Sequence, residues 1–198
     1  MNERIIAVFD FDGTLTVGAS SRLLFLRQLV GLPRLVGGLL SRFFNGGLPG
    51  KPVGNADYLD HLFLKGITKH ELEQQAVVFL KQVLLKKLRK EAIDRLHFHQ
   101  QQGHTCIVVS GGWDIYLKPW AEEYAIQQLI CTELEFDPIH HKSTGQMLNN
   151  YCIGSEKLKR FKKLYANRNE YILYAYGDSH QDLELLNYAD YPFYKCFQ

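Results

Sequence analysis

The most constraining feature of the sequence is a short apolar segment that ends in two aspartates. Residues 4–10 read RIIAVFD, and DFDGT occupies 10–14. An apolar run of this length, without polar alternation, predicts a parallel strand that helices cover on both faces. Because open α/β sheets bind ligands at the carboxyl ends of their strands, the same segment predicts both a fold class and a site.

Strand-like and helix-like segments alternate from about residue 89 onward, which is typical of a parallel sheet with crossover helices. The predicted strands lie at 105–109, 129–132, 172–176 and 191–195, a loop at 110–112, and helices at 90–102, from 113, at 155–166 and at 181–188. Residues 22–88 are predicted to be helical throughout. A capping box of Thr68 and Glu71 opens a helix expected over 69–86.

These elements predict a discontinuous architecture. The fold class is α/β, with a Rossmann-like parallel sheet core built from 1–17 and 89–198. Residues 18–88 are predicted to be an inserted, all-helical cap domain. A length of 198 residues suits one such domain with an insertion.

Composition excludes several classes of protein. Hydrophobic residues make up 46% and charged residues 22%, as in a globular chain, and the net charge of +2 gives no reason to expect a nucleic-acid partner. The longest stretch without charged residues, 143–155, is too short and too polar to span a membrane. The four cysteines form no C-x-x-C pair, and the first residues run straight into a predicted strand. We therefore expect reduced thiols, no zinc site, no cleavable signal and a cytoplasmic location.

The DFDGT segment places two carboxylates at the end of a strand. Asp10 and Asp12 are two residues apart, so in extended chain they point to the same side and need a cation or a shared proton. Gly13 lets the chain turn away at once. A simple Asp-Gly turn with solvated acids is the alternative. The apolar strand before the segment and the lack of β alternation after it favour a functional site.

Three later segments add polar groups at strand ends or helix starts. Ser110-Gly111-Gly112 provides a hydroxyl and glycine N–H groups for a phosphate, or is an ordinary connection. Lys157 lies in a first helical turn, where the helix dipole disfavours a cation, although a solvated basic face is the alternative. Asp178 and Asp182 are four apart and share one helix face, or act as plain caps. Gathered at one sheet edge, these oxygens and the ammonium group favour Mg²⁺ and a phosphate.

Four motifs in order, DFDGT (10–14), VVSGG (108–112), GSEK (154–157) and YGDSHQD (176–182), resemble those of the haloacid dehalogenase superfamily. Their order and spacing are similar to subfamily IB, the phosphoserine-phosphatase-like branch with a helical cap after the first motif. The resemblance covers essentially the whole chain. It implies a Mg²⁺-dependent phosphoric monoester hydrolase that acts on a small-molecule phosphomonoester.

The resemblance also implies a role for each matched residue. Asp10 would be the nucleophile and form an aspartyl-phosphate, while Asp12 would be the general acid and base. Lys157 would neutralise charge between the phosphate and Asp10. The phosphate-binding residues would be Thr14, Ser110, Gly111 and Lys157. Mg²⁺ would be held by Asp10, the backbone carbonyl of Asp12 and Asp178, with Asp182 supporting the metal site from behind.

The substrate stays open at this point. Phosphoserine phosphatases place an acidic residue shortly after the first motif to hold the substrate amine, whereas residues 17–21 here read VGASS. Phosphoserine is therefore disfavoured. The remaining candidates are a small phosphorylated metabolite or a phospholipid headgroup such as phosphatidylglycerophosphate, a substrate of bacterial relatives in this branch.

Residues 23–44 have an unusual composition. They read LLFLRQLVGLPRLVGGLLSRFF, which is strongly apolar, contains three arginines and lacks acidic residues. Such a segment suits peripheral contact with a membrane surface or an anionic headgroup. The alternative is that these helices pack on each other with solvated arginines. We favour that alternative because Pro33 and the Gly37-Gly38 pair would interrupt a long amphipathic helix.

Other functions on the same fold remain open. A non-catalytic phospho-switch uses similar residues, but it places its phosphorylated aspartate after a later strand and lacks a cap. A membrane-binding adaptor would not need intact motifs, and all four are intact here. A phosphotransferase differs only in whether water or another alcohol takes the phosphate. The oligomeric state is not indicated by the sequence.

Overall fold

The computed structural model describes residues 4–18, 20–44 and 57–198, with only the backbone described for 42–44. Five parallel strands form one sheet in the order β3-β2-β1-β6-β7. Their bounds are β1 Arg4–Phe9, β2 Thr105–Trp113, β3 Gln128–Thr132, β6 Tyr171–Gly177 and β7 Tyr191–Tyr194. The predicted α/β fold with a parallel sheet is confirmed.

The first strand occupies the centre of this sheet. It pairs with β2 on one side and β6 on the other, and Ile6, Ala7, Val8 and Phe9 are fully buried. Ile6 and Val8 belong to one hydrophobic cluster, whereas Ala7 and Phe9 belong to the cluster on the opposite face. Alternate residues of a strand point to opposite faces, so a strand covered on both sides must be apolar at every position.

Helices cover both faces of the sheet. They are α5 Lys90–Gln101, α6 Asp114–Glu123, α7 Ser155–Leu164 and α8 Leu183–Tyr188. Gly103 follows α5 with a φ of +73°, the left-handed conformation that commonly ends a helix. The strand order reverses between β1 and β6, because the chain builds outward through β2 and β3 before it returns. Ligands of open α/β sheets bind at such a switch point.

The described part of 18–88 contains helices α1 Ser21–Val30, α2 Leu32–Phe44, α3 Tyr58–Leu64 and α4 Lys69–Phe79. The predicted helix over 69–86 begins with the predicted capping box at Thr68 and Glu71. It continues beyond α4 as a π-helical turn over Leu80–Leu84 and a 3₁₀ turn over Leu85–Lys87. Part of the predicted helical stretch, residues 45–56, lies outside the described residues.

One expectation about α2 is wrong. We expected Pro33 and Gly37-Gly38 to interrupt an amphipathic helix, but α2 runs through all three residues. Pro33 lies in the first turn, where its missing N–H has no helical partner to lose. At Gly38 a Cβ would lie 2.5 Å from Cζ of Phe63, so the glycine allows α2 to approach α3 closely. The break lies instead at Gly31, with a φ of +79° between α1 and α2.

A β-hairpin that was not predicted joins the helical segment to the sheet domain. Its strands are β4 Leu134–Phe136 and β5 Ser143–Met147. Ser143 accepts a hydrogen bond from Gly66 N and donates one to Ile67 O, both at 2.8 Å, so the hairpin is tied to the chain after α3. The buried side of β5 carries Ser143, Gly145 and Met147, residues with little strand preference. This composition hid the strand from the sequence analysis.

No single helix among the described residues is long and apolar enough to cross a membrane. The helix α1 and the part of α2 up to Ser41 reach the required length and composition only as a pair, bent by 113°.

Candidate active site

The end of β1 carries Asp10 into the switch point of the sheet. Asp10 N donates to Tyr176 O in β6 at 2.9 Å, which extends the strand pairing to the aspartate itself. The chain then turns sharply at Gly13, whose φ is +87°. A Cβ at this position would lie 2.3 Å from Oδ2 of Asp178. Glycine is therefore required twice, for the backbone conformation and for the approach of the Asp178 carboxylate.

Lys157 binds two of the predicted carboxylates. Its Nζ lies 2.5 Å from Oδ1 of Asp10 and 2.7 Å from Oδ1 of Asp182, and the lysine side chain is only 3% exposed. The other oxygen of Asp182 accepts hydrogen bonds from the backbone of Asp178 and from the N–H and hydroxyl of Ser179. Asp182 is thus fully occupied in holding Lys157 and the turn after β6, which agrees with a supporting position.

Asp12 takes a different set of partners. Its carboxylate accepts hydrogen bonds from the backbone N–H and hydroxyl of Ser21, both at 2.9 Å, and a longer one from Ser20. The Ser21 hydroxyl also lies 2.9 Å from the hydroxyl of Tyr116. Asp10 and Asp12 line the same cavity, as expected, but the turn at Gly13 gives them different neighbours. Asp12 is bound to the start of α1, while Asp10 is bound to α7.

The first and last motifs meet at a cluster of three carboxylates. Oxygen atoms of Asp10, Asp178 and Asp182 lie within 4.8 Å of one another. The Thr14 hydroxyl lies between two of them, 3.4 Å from Asp10 Oδ2 and 3.2 Å from Asp178 Oδ1. These two oxygens are not used by Lys157. A set of hard carboxylate oxygens, two of which are not bound by Lys157, fits a small divalent cation such as Mg²⁺.

The second motif differs from the prediction in its backbone. We expected a loop at 110–112, but β2 continues to Trp113, with a register shift against β3 after Ser110. Ser110 is buried and its Oγ accepts a hydrogen bond from Gly112 N at 3.0 Å. A Cβ at Gly111 would lie 2.7 Å from Cγ2 of Ile153. The glycines therefore let a bulged strand pass closely under neighbouring side chains.

All eight predicted site residues are brought to one edge of the sheet: Asp10, Asp12, Thr14, Ser110, Gly111, Lys157, Asp178 and Asp182. A cavity of about 260 Å³ is lined by Asp10, Asp12, Ser110, Gly111 and Lys157. Ser20, Arg22, Ile153, Ser179 and Gln181 also line it and were not predicted. Arg22 directly follows VGASS, so the sequence does place a basic residue near the site. The direction of its side chain depends on the packing of α1, which the sequence pattern does not show.

Burial dominates the electrostatics of the site. Burial raises the pKa of Asp10 to about 7, although Lys157 acts in the opposite direction. A divalent cation on the same carboxylates would lower it. Burial alone would lower the pKa of Lys157, but the carboxylates of Asp10 and Asp182 hold it above its ordinary value, so the lysine is charged. Burial also raises the pKa of Asp12, against hydrogen bonds from Ser21 and Ser20.

The fold and the site define an α/β protein with an acidic centre and a buried lysine at its switch point. The chain belongs to the haloacid dehalogenase-like hydrolase family, whose pattern matches residues 7–187. The match includes residues on both sides of 18–88 as well as that segment. Family membership therefore agrees with the resemblance carried by the four motifs.

Individual relatives extend this comparison. Protein CicA of Caulobacter vibrioides (strain NA1000 / CB15N) is 28% identical over 205 residues, which cover 100% of this chain and 88% of CicA. A protein of unknown function from Bordetella pertussis Tohama I has a TM-score of 0.75 and 23% identity, covering 94% of this chain and 87% of that one. A phospho-aspartyl intermediate analogue of phosphoserine phosphatase has a TM-score of 0.58 and 19% identity, with coverages of 95% and 84%. At these identities the solved structures support the fold.

Proposed function

We propose that the protein is a Mg²⁺-dependent phosphatase that hydrolyses a phosphomonoester through an aspartyl-phosphate on Asp10. The observation that carries the proposal is the contact of 2.5 Å between Lys157 and Asp10 at a cavity that also contains Asp12. Lys157 binds the carboxylate of Asp10, whereas the carboxylate of Asp12 is bound by Ser20 and Ser21 instead. The two aspartates are therefore suited to different tasks. The similarity to a phospho-aspartyl analogue of phosphoserine phosphatase is consistent with this chemistry.

In the first step, a carboxylate oxygen of Asp10 attacks the phosphorus and the bond to the leaving alcohol breaks. Phosphoryl transfer depends chiefly on positioning and charge stabilisation. Lys157 supplies positive charge beside the attacking oxygen, and Ser110 and Gly111 line the cavity where the phosphoryl oxygens would bind. Thr14 lies within hydrogen-bond distance of Asp10 and orients its second oxygen.

Asp12 would transfer the protons. It donates a proton to the leaving alcohol in the first step and accepts one from water in the second, when the acyl-phosphate is hydrolysed. The raised pKa of Asp12 favours the protonated form that the first step needs. Its hydrogen bonds to Ser21 fix its carboxyl group at the cavity wall. This proton transfer distinguishes an enzyme from a phospho-switch.

The carboxylates of Asp10 and Asp178 and the backbone carbonyl of Asp12 would hold the Mg²⁺ ion, with Asp182 behind them. When bound, the ion supplies positive charge that offsets the repulsion between an anionic nucleophile and a phosphate. The oxygens of Asp10 and Asp178 beside Thr14, which Lys157 does not bind, support this assignment.

Residues 18–88 would form a helical cap over the cavity. Support comes from the two ends of this segment, which lie side by side. Val17 N donates to Lys87 O and Arg89 N donates to Leu15 O, both at 2.8 Å. The two ends of the segment are therefore joined by one antiparallel bridge, between Thr16 and Leu88.

We propose that an anionic membrane surface is a peripheral partner of the cap, which is tested separately from the catalytic function. Four apolar side chains of α2 are at least 36% exposed: Leu32, Val36, Leu39 and Leu40. Arg34 of the same helix and Arg27 of α1 are also exposed. Sedimentation with vesicles containing phosphatidylglycerol should capture the protein, and Val36→Ser with Leu40→Ser should weaken capture. Equal capture of both proteins would contradict a role for this face.

Phosphate release from a panel of phosphomonoesters tests the proposed function. The panel includes an aryl phosphate, phosphoserine, sugar phosphates and phosphatidylglycerophosphate in micelles, each with and without Mg²⁺. Release that requires Mg²⁺ and disappears in Asp10→Asn supports a phosphatase. The best substrate decides between a small metabolite and a lipid headgroup. Transfer to an added alcohol in place of water would indicate a phosphotransferase, and no release by folded protein with Mg²⁺ would favour a switch or an adaptor.

A further inference from the structure

Arg22 is a cation in the wall of the active-site cavity that the proposed reaction does not use. It is the second residue of α1 and follows Ser20 and Ser21, which bind the carboxylate of Asp12. Arg22 lines the same cavity as Asp10 and Asp12. Chain continuity therefore places the arginine on the side of the cavity where the proton donor, and hence the leaving group, would lie.

The guanidinium group is firmly held in place. One of its nitrogens lies 2.5 Å from Oδ2 of Asp60, whose side chain is 2% exposed. The Tyr151 hydroxyl donates to the same carboxylate. The ring centres of Tyr151 and Trp113 lie 4.6 and 5.3 Å from Cζ of Arg22. An arginine positioned by a buried carboxylate and two rings is pre-organised, so little freedom is lost when a ligand binds it.

One donor of this arginine is unused. The Nε atom of Arg22 is buried and has no hydrogen-bond partner among the described residues. Buried donors on charged groups are normally paired, so the Arg22 guanidinium keeps hydrogen-bonding capacity that its described neighbours leave unused. The described hydrogen bond to Asp60 uses one terminal nitrogen of Arg22, and the planar fork of a guanidinium matches the two oxygens of a carboxylate or a phosphate.

We propose that Arg22 selects phosphomonoesters whose leaving group carries a second anionic group, a carboxylate or a phosphate. This inference rests on the proposed phosphatase function and adds the substrate class. The phosphoryl group to be transferred binds near Asp10 and Lys157, and the second anion binds Arg22 across the cavity. A neutral leaving group of the same size gains no charge-assisted hydrogen bond from Arg22 and binds less well.

Three matched substrates test this selectivity. Glycerol phosphate, phosphoglycerate and glycerol bisphosphate share a three-carbon skeleton and differ in a hydroxyl, a carboxylate or a second phosphate. The wild-type protein should prefer one or both anionic compounds by roughly 10–100-fold in kcat/KM, as expected for charge-assisted hydrogen bonds. Preference for phosphoglycerate alone would identify a carboxylate, and preference for the bisphosphate alone would identify a phosphate.

The selectivity ratio, which is kcat/KM for the preferred anionic substrate divided by kcat/KM for glycerol phosphate, is then measured in Arg22→Met and Arg22→Lys. All three substrates are assayed on one sample of each variant, so partial loss of folded protein cancels in the ratio. The ratio should fall to near one in Arg22→Met and to an intermediate value in Arg22→Lys. Arg168→Met is the matched control, because Arg168 also pairs with an aspartate and contacts two rings but lies outside this cavity. It should keep the wild-type ratio.

Two results would overturn the inference: no preference in the wild-type protein, or an equal loss on all three substrates in Arg22→Met. If the wild-type protein hydrolyses none of the three, the proposed function fails only when no compound of the phosphomonoester panel is hydrolysed either. Arg22 is then judged by calorimetric titration of phosphoglycerate and glycerol phosphate. Tighter binding of phosphoglycerate that disappears in Arg22→Met supports the anion site, and equal binding of both compounds refutes it.

Discussion

The ammonium group of Lys157 lies 2.5 Å from the carboxylate of Asp10, and both side chains are more than nine-tenths buried. Lys157 also binds Asp182 at 2.7 Å, so one buried cation serves two buried anions. Such an arrangement is held together by mutual pairing, since each charge alone would be poorly solvated. The proposed catalytic centre and the local stability of the fold therefore depend on the same contact.

Lys157→Met should impair both stability and activity. Breaking a buried ion pair from one side typically destabilises a protein by about 3–5 kcal/mol. Loss of a charge beside the reacting oxygens should lower kcat by roughly 100-fold or more. Urea unfolding and phosphate release measure the two effects. Lys163→Met, on the exposed side of the same helix, is the control and should change stability by less than about 0.5 kcal/mol. Wild-type turnover in Lys157→Met would contradict its proposed role.

Gly13→Ala should destabilise the protein more than Gly103→Ala. Both glycines have a positive φ, +87° and +73°, so alanine is strained at either position by about 1 kcal/mol. Only at Gly13 would the new Cβ also collide with the Asp178 carboxylate, whereas nothing lies within 4 Å at Gly103. Gly13→Ala should therefore also weaken stabilisation by Mg²⁺, measured as the rise in Tm on adding the ion. Equal losses in the two variants would argue against the close approach of Gly13 to Asp178.

Ser21→Ala should move the alkaline limb of the pH–rate profile upward. The Ser21 hydroxyl stabilises ionised Asp12 and holds its pKa down, so its removal raises that pKa further. A general acid with a higher pKa stays protonated to higher pH. The profile of kcat/KM for an alkyl phosphate measures this shift.

Ser41→Ala is a suitable control for Ser21→Ala, because Ser41 also bonds a tyrosine hydroxyl but has no carboxylate partner among its described hydrogen bonds. It should leave the profile in place. An alkaline limb that stays fixed in Ser21→Ala would remove Asp12 from the role of proton donor.

The buried His99 should make the fold less stable in mild acid. Burial lowers its pKa from 6.5 to about 4, and His104 and Arg95 add to the effect. Since the unfolded chain binds the proton more readily, stability is full above pH 6.5 and falls as the pH drops toward 4. At pH 5 the loss should be roughly 2 kcal/mol or less.

Urea unfolding at several pH values checks this behaviour. His99→Gln should show a weaker loss of stability between pH 7 and 5 than the wild-type protein. His97→Gln, which changes an exposed histidine on the same helix, should keep the wild-type dependence. A dependence that is unchanged in His99→Gln would assign the acid sensitivity to other groups.

Much of the core site could be predicted from the sequence because it depends on a general property of parallel sheets. Asp10 and Asp178 follow β1 and β6, and the carboxyl ends of neighbouring parallel strands meet at one edge. Lys157 could be placed there because its helix starts near the same edge. No distance between side chains was needed for this prediction.

The remaining parts of the fold and of the candidate site depend on side-chain packing, which cannot be read from the sequence pattern. The pairing of Arg22 with Asp60 joins residues from two helices whose relative orientation is set by many weak contacts. The hairpin of β4 and β5 depends on Gly145, where a Cβ would lie 3.0 Å from the backbone of His61. Likewise, the sequence did not indicate that the second motif lies in a strand. The pairing of Trp113 with Thr132, beyond the bulge after Ser110, shows it. The division at residues 18 and 88 stays a prediction.

Trapping the phosphorylated enzyme tests the central claim most directly. In Asp12→Asn, a nitrophenyl phosphate still has a leaving group that needs no proton, while hydrolysis of the acyl-phosphate loses its base. Phosphate should therefore accumulate on the protein, and mass spectrometry should find one phosphoryl group on the peptide that contains Asp10. The same experiment with Asp10→Asn in addition should find none. Turnover without a labelled peptide, or a label on another residue, would contradict nucleophilic attack by Asp10.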